Sequence, residues 1–139
     1  MEKIAIVYWS GTGNTEAMAG FVAEGVRSSG REPVLIGADG FSPSDLDGYS
    51  AFAFGCPSMG DEVLEEDVFE PMFASVRSGL SGRRVGLFGS YGWGDGEWMR
   101  DWAEDCRSAG MDLVNDGVIA NEYPGESEAE ECRALGRSL

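Results

Sequence analysis

Apolar and polar positions change period in a regular way along this chain. Lys3 to Trp9 (KIAIVYW) is a nearly unbroken apolar run rich in Ile and Val, short enough for a strand and without the alternation of a sheet that is wet on one side. It predicts a central strand buried on both faces. From Thr15 to Ser29 apolar positions fall at Met18, Phe21, Val22, Gly25 and Val26, the i, i+3, i+4, i+7, i+8 spacing of a helix with one buried stripe, and Gly30 supplies the stop. The alternation then repeats. Pro33 to Gly37 and Ala51 to Cys56 read as strands, and Phe69, Met72, Phe73, Val76 and Leu80 take helical spacing, with Pro71 in the first turn or at a kink. Arg84 to Ser90 is a fourth strand. Trp98, Trp102 and Cys106 lie four apart on a helix that Gly110 ends, and this spacing makes the two tryptophans core residues. A last strand falls within Met111 to Ala120. After it comes a helix that opens with Ser127 and Glu130 at capping-box spacing and buries Cys132, Leu135 and Leu139.

Strands alternating with helices imply right-handed crossovers and a parallel sheet covered on both faces, an α/β fold. Such sheets bind ligands at the carboxyl ends of their strands, where the strand order reverses. Three loops meet that description: Ser10 to Thr15, Pro57 to Glu62, and Ser90 to Gly96.

Length and composition narrow the chemistry. At 139 residues the chain has the size of a single domain, 1–139, in which roughly two thirds of the unfolded surface is buried. His is absent and the formal charge is -15. Without His there is no Ser/His/Asp or Cys/His pair and no imidazole metal site, and the acidity argues against nucleic acid, whose binding draws on Lys and Arg. A basic protein partner fits better. Cys56, Cys106 and Cys132 are scattered, which suggests neither a zinc site nor a redox dithiol and fits a reduced, cytoplasmic setting. No apolar run approaches the ~20 residues of a membrane span, so a soluble, unprocessed protein is expected.

The first loop, SGTGNT, leads from strand to helix, so its backbone N–H groups and the helix dipole point to one place. Ser10, Thr12, Asn14 and Thr15 add side-chain donors. That is chemistry for one phosphate group held without countercharge. Walker A requires G-K-[ST], and Gly13-Asn14-Thr15 has no Lys; a dinucleotide fingerprint requires Gly at position 16, which is Glu16. In the second loop, Met59 and Gly60 precede Asp61 and Glu62, offering a polarizable surface, a permissive backbone and an acceptor for a ring N–H. Taken alone it reads as a turn. The third loop, SYGWGDG, sets Tyr91 and Trp93 among glycines, an arrangement that is costly to expose unless something flat covers it.

The stretches YWSGTGNT, GCPSMGDEVLEE, FEP and LFGSYGWGDGEWMRDW resemble the short-chain flavodoxins of anaerobic bacteria, in the same order and spacing over essentially the whole chain. The resemblance implies a flavodoxin-like three-layer sandwich with a five-stranded parallel sheet in the order 2-1-3-4-5. It implies one non-covalent FMN and a low-potential carrier shuttling single electrons between semiquinone and hydroquinone. Ser10, Gly11, Thr12, Gly13, Asn14 and Thr15 match the phosphate loop, and Met59 and Trp93 match residues flanking the two faces of the isoalloxazine. Gly60 matches the residue whose peptide turns over on reduction so that its carbonyl accepts from flavin N5–H. Glu62 matches the acceptor for N3–H, and the backbone around Ser90, Tyr91 and Gly92 matches donors to the pyrimidine edge. Ser58, Asp61 and Gly94 complete the cofactor-binding set. Pro57 stands where some relatives have a Ser that contacts the phosphate. Asn121 and Glu122 resemble an Asn-Glu pair after the last strand, in a loop of different length, and stay unassigned.

Asp61, Glu62, Glu65, Glu66, Asp67 and Glu70 put six carboxylates within ten residues of the second loop. At ~10 Å in water each costs an added electron about 0.4 kcal/mol, or ~2.4 kcal/mol together. At about 1.4 kcal/mol per ~59 mV this lowers the potential by roughly 100 mV, and ~0.1 M salt cuts the effect to about a third. The same rim suits transient, salt-sensitive docking onto basic patches of redox partners. A flavin-dependent reductase is the alternative of another class, disfavoured by the absence of His and of a nicotinamide site. A phosphorylated receiver domain would need acidic residues where strand one ends in Trp9 and Ser10, and a Lys near the last strand, whereas the only Lys is Lys3.

Overall fold

Alternate residues of the first strand serve two different cores. The computed structural model describes residues 2–139. In it β1 (Lys3–Tyr8) turns Ile4 and Ile6 towards one layer and Ala5 and Val7 towards the other, all four fully buried. β3 (Ala51–Gly55) repeats the division, with Ala51 and Ala53 on the first side and Phe52 and Phe54 on the second. A strand buried on both faces needs no polar alternation, and these segments are accordingly continuous apolar runs.

β2 (Glu32–Gly37), β4 (Arg84–Tyr91), β5 (Asp112–Leu113) and β6 (Val118–Asn121) complete a parallel sheet, covered by α1 (Asn14–Ser28), α2 (Phe69–Val76), α3 (Glu97–Ser108) and α4 (Glu126–Ser138). The strand order is β2-β1-β3-β4-β5, the flavodoxin-like order expected from the sequence. It reverses between β1 and β3, so the loops leaving those two strands diverge and open a crevice at the carboxyl edge.

The fifth strand is broken in two. β5 and β6 both pair with β4, on either side of residues 114–117. Asn115 spans the break: its Oδ1 accepts from Leu87 N–H at 3.0 Å, and its Nδ2 donates to the Leu87 carbonyl at 3.0 Å. The side-chain amide thus replaces one rung of the ladder. The sequence predicts a single strand within Met111 to Ala120, and the turn-forming Asn115-Asp116-Gly117 inside it explains the break.

The two layers pack differently. On one side α1 and α4 cross at Gly25 and Gly136, where a Cβ would lie 1.9 Å from the Arg133 carbonyl oxygen and 2.2 Å from that of Val22 respectively. Only glycine permits so close an approach. On the other side large rings meet edge to face, Phe54 with Phe73 at 5.1 Å and Phe69 with Trp102 at 5.4 Å between centroids. Trp98 and Trp102 are both buried there, and Trp98 Nε1 donates to the Cys56 carbonyl at 3.2 Å.

Two local expectations change. α4 begins at Glu126, and its capping partner is Glu128, whose Oε1 accepts from Gly125 N–H at 2.9 Å; Ser127 lies within the first turn, and Glu130 pairs with Arg133 and Arg137. Glu65 leaves the acidic rim altogether. It is 5% exposed and accepts from Asp67, Val68 and Phe69 N–H at 2.8, 2.9 and 2.7 Å, capping the start of α2. Burial raises the Glu65 carboxyl, but the amides of Phe69, Val68 and Asp67 outweigh it and hold it below its ordinary 4.5.

A carboxyl depressed in the folded state adds stability that is complete above its unfolded value and is lost as pH falls through the lower folded value. Glu65→Gln is therefore expected to destabilise the protein by about 2 kcal/mol in urea titrations at neutral pH. The difference from the parent should shrink as pH falls below the ordinary 4.5 and vanish once the pH is below the lower folded value, where the parent has lost the same contribution; a difference that does not shrink at all on acidification would refute the carboxylate cap.

Candidate functional site

The loop after β1 folds back on itself through its own hydroxyls. Ser10 Oγ accepts from Gly13 N–H at 3.1 Å and Glu16 N–H at 3.2 Å, and Thr12 Oγ1 accepts from Asn14 N–H at 3.4 Å. This leaves the N–H groups of Gly11, Thr12 and Thr15 with no acceptor among the described residues, at the positive end of a 15-residue helix. Thr15 and Ser90, 1% and 4% exposed, join their hydroxyls at 2.7 Å, which ties the start of α1 to the carboxyl end of β4.

The loop after β3 is a small hairpin. Met59 N–H donates to the Val63 carbonyl at 2.8 Å and Val63 N–H to that of Met59 at 2.9 Å, leaving Gly60, Asp61 and Glu62 as the tip. Gly60 has φ +50° and Glu62 φ +57°. Ser58 N–H donates to the Ser90 carbonyl at 2.9 Å, a second tie to the carboxyl end of β4. Beneath lies Cys56, whose Sγ accepts from Glu65 N–H at 3.3 Å; burial pushes its thiol up to about 12, so it packs rather than reacts.

At the end of β4, Tyr91 packs on Trp98 with centroids 5.5 Å apart, and the Tyr91 carbonyl accepts from Glu122 N–H at 2.8 Å. Trp93 stands outward, 61% exposed. Arg100 steadies the loop by donating to the Asp95 carbonyl at 3.0 Å and to its Oδ1 at 3.1 Å.

Between the three loops lies a cleft of ≈ 450 Å³. Gly11, Thr12, Asn14 and Thr15 line it from the first loop, Ser58 and Met59 from the second, and Ser90, Tyr91 and Gly92 from the third. A neighbouring cavity of ≈ 530 Å³ shares Trp9, Gly11 and Thr12 and adds Ser10 and Gly13, together with Glu16 and Asp39. Gly60, Asp61, Glu62, Trp93 and Gly94 do not line the cleft; they sit at the hairpin tip and on the outer rim. Glu62 turns towards the third loop, where its Oε1 accepts from Asp95 N–H at 3.0 Å and Gly96 N–H at 3.3 Å.

Trp9, Pro57 and Glu122 also line the cleft, outside the predicted set. Trp9 and Pro57 each lie just past a strand at the carboxyl edge, a position that marks them in the sequence. Glu122, left unassigned in the sequence as part of an Asn-Glu pair, is marked in the structure by its backbone. With φ +61° it is, beside Glu62, the other non-glycine residue at positive φ among the described residues.

This arrangement defines a class: a doubly wound α/β protein whose switch point offers neutral donors of the kind that suit a phosphate, with aromatic and thioether surface beside them of the kind that suits a flat ring. The comparisons with known proteins agree. The family model described as Flavodoxin matches residues 6–136. The flavodoxin of Clostridium beijerinckii is 43% identical over 134 residues, spanning 96% of each chain, and that of Megasphaera elsdenii is 41% identical over 135 residues, spanning 97% of this chain and 96% of the other. The solution structure of two-electron reduced Megasphaera elsdenii flavodoxin superposes with a TM-score of 0.90, covering 97% of this chain and 96% of that one. The chain belongs to the flavodoxin family, on the short-chain side of it. The family binds FMN and carries electrons, and FMN is the cofactor here. The donor set fits that group: free N–H groups for the phosphate, and Trp9, Met59 and Tyr91 for the apolar ring.

The buried hydroxyl pair gives a direct test. Thr15→Val or Ser90→Ala alone leaves one hydroxyl buried without a partner and should cost the apoprotein about 1–3 kcal/mol in urea unfolding. The double variant should cost less than the sum of the two; simple additivity would show that the hydroxyls do not support each other.

Proposed function

We propose that the chain works as a single FMN domain, a low-potential carrier that passes one electron at a time between redox enzymes and has no substrate of its own. The observation that supports this is the charge around the cleft. Among the described residues no Lys or Arg lines the cleft or the cavity beside it, Glu122, Glu16 and Asp39 are in their walls, and Asp61, Glu66, Asp67 and Glu70 are exposed. When bound, FMN supplies stepwise one-electron chemistry. The chain's residues hold it and set its potential, because each carboxylate opposes further negative charge in the site.

In this reading the N–H groups of Gly11, Thr12 and Thr15, with the side chains of Ser10, Thr12 and Asn14, hold the phosphate, and Gly13 shapes the loop. Met59 and Trp93 flank the ring, which accounts for their being 37% and 61% exposed in the protein alone. Gly60 at the hairpin tip is assigned to flavin N5–H and Glu62 to N3–H, with Ser58 and Asp61 beside them. The backbone of Ser90, Tyr91, Gly92 and Gly94 borders the pyrimidine edge. The acidic rim meets basic patches on partner enzymes, and such encounters gain on-rate more than affinity and weaken with salt.

Replacing Glu66, Asp67 and Glu70 together by Gln, Asn and Gln should raise the lower midpoint potential by about 50 mV at low ionic strength, taking ~10 Å from each charge to the ring. At ~0.1 M salt the shift should fall to roughly a third. A potentiometric titration followed by visible absorption reads both. An unchanged potential would remove the acidic rim from the control of the cofactor, and steady-state oxidation of NAD(P)H by the purified holoprotein alone would replace the carrier reading with a reductase.

A further inference from the structure

Glu62 occupies a backbone conformation that glycine adopts freely and glutamate rarely, at φ +57°. Glycine at this position would relax the hairpin, so the side chain must return something for the strain. What it does is visible on the far side of the slot. Its Oε1 accepts from the N–H groups of Asp95 at 3.0 Å and Gly96 at 3.3 Å. These amides lead into α3, whose preceding residue, Gly96, has no side chain with which to cap the helix. A carboxylate at that end meets both the unpaired donors and the positive end of the helix dipole. The third loop is shaped to receive it: Gly94 has φ +87°, and a Cβ there would lie 1.9 Å from Glu62 Oε1.

We propose that Glu62 is a positioning residue that caps α3 from the neighbouring hairpin and locks the Met59 and Trp93 walls of the flavin slot into one frame before the cofactor arrives. The hairpin is already rigid through the paired backbone bonds of Met59 and Val63, and the third loop is braced by Arg100 on Asp95. Ser58 N–H to the Ser90 carbonyl ties the two loops together at their base. Glu62 ties them at the rim. The link to flavin binding rests on the FMN reading above, whereas the clamp itself is a property of the cofactor-free protein and is tested there.

Amide exchange and amide NMR spectra of the full-length apoprotein read the clamp. In Glu62→Ala, the Asp95 and Gly96 amides should exchange at least about tenfold faster, and both resonances should move. Glu62→Gln, which keeps an acceptor oxygen, should retain most of the protection. Gly94→Ala should disturb the same two amides, with no further change when combined with Glu62→Ala. The clamp is overturned if these two amides exchange in Glu62→Ala as they do in the parent, or if Glu62→Gln is as damaging as Glu62→Ala. When FMN is mixed with the full-length apoprotein, Glu62→Ala should slow its association severalfold in stopped-flow measurements, as expected when a preformed slot becomes loose. Faster amide exchange with an unchanged association rate would keep the clamp and remove its role in preforming the slot. Absence of any FMN uptake by the parent would instead strike at the FMN reading alone.

Discussion

The unpaired N–H groups at the start of α1 are, among the described residues, the source of positive potential that lines the cleft. With 25 acidic residues against 10 basic ones, the chain could hardly place a cation beside the cofactor without losing part of the acidic field to which the proposed low potential is ascribed. Backbone dipoles solve the conflict. They are strong at contact distance and fade within about the first turn of the helix, so in the proposed reading they would hold the phosphate without neutralising the rim. For the dipoles to serve, the loop must stay curled and α1 must stay in register with the sheet. Ser10 secures the first by accepting from Gly13 and Glu16, and the tight crossing of α1 and α4 at Gly25 and Gly136 secures the second.

Everything else at the site depends on joining three loops that come from distant parts of the chain. The joints are polar and specific. Thr15 meets Ser90 through a buried hydroxyl pair, Ser58 meets Ser90 through backbone, Glu122 meets Tyr91 through backbone, and Glu62 meets Asp95 and Gly96 through its carboxylate. Ser90 takes part in two of these joints and is the centre of the arrangement. Beneath it Trp98, bonded to the Cys56 carbonyl and packed against Tyr91, supports the third loop from the core. A site assembled in this way spends little order on binding, because most of its geometry exists before the ligand does.

The layout of strands and helices was legible from periodicity alone, since a doubly covered parallel sheet leaves long apolar runs and one-sided helices that little else imitates. The loops that form the cleft were legible because the ligand position follows from topology. What escaped the sequence was the fate of individual polar side chains. Glu65 looks like one more member of an acidic run, yet it turns inward to satisfy three amides. Asn115 reads as an ordinary turn residue, yet its amide substitutes for a strand. Glu122 and Glu62 carry positive φ values that no pattern of residue types encodes. Asn115 and Glu62 find backbone partners far along the chain, which spacing does not encode, whereas Glu65 caps amides two to four residues ahead and is hidden only because its neighbours in the sequence are also acidic.

The central claim, that neutral donors alone hold the phosphate in an acidic field, is tested most directly by comparing FMN and riboflavin binding to the apoprotein as a function of salt. If the claim holds, FMN binds far more tightly than riboflavin. Its affinity should also rise as salt increases to ~0.1 M, because screening relieves the repulsion between the phosphate and the -15 chain while the short hydrogen bonds are untouched. Riboflavin binding should change little over the same range. FMN affinity that falls with salt, as cation pairing would produce, or equal affinity for the two flavins, would contradict it.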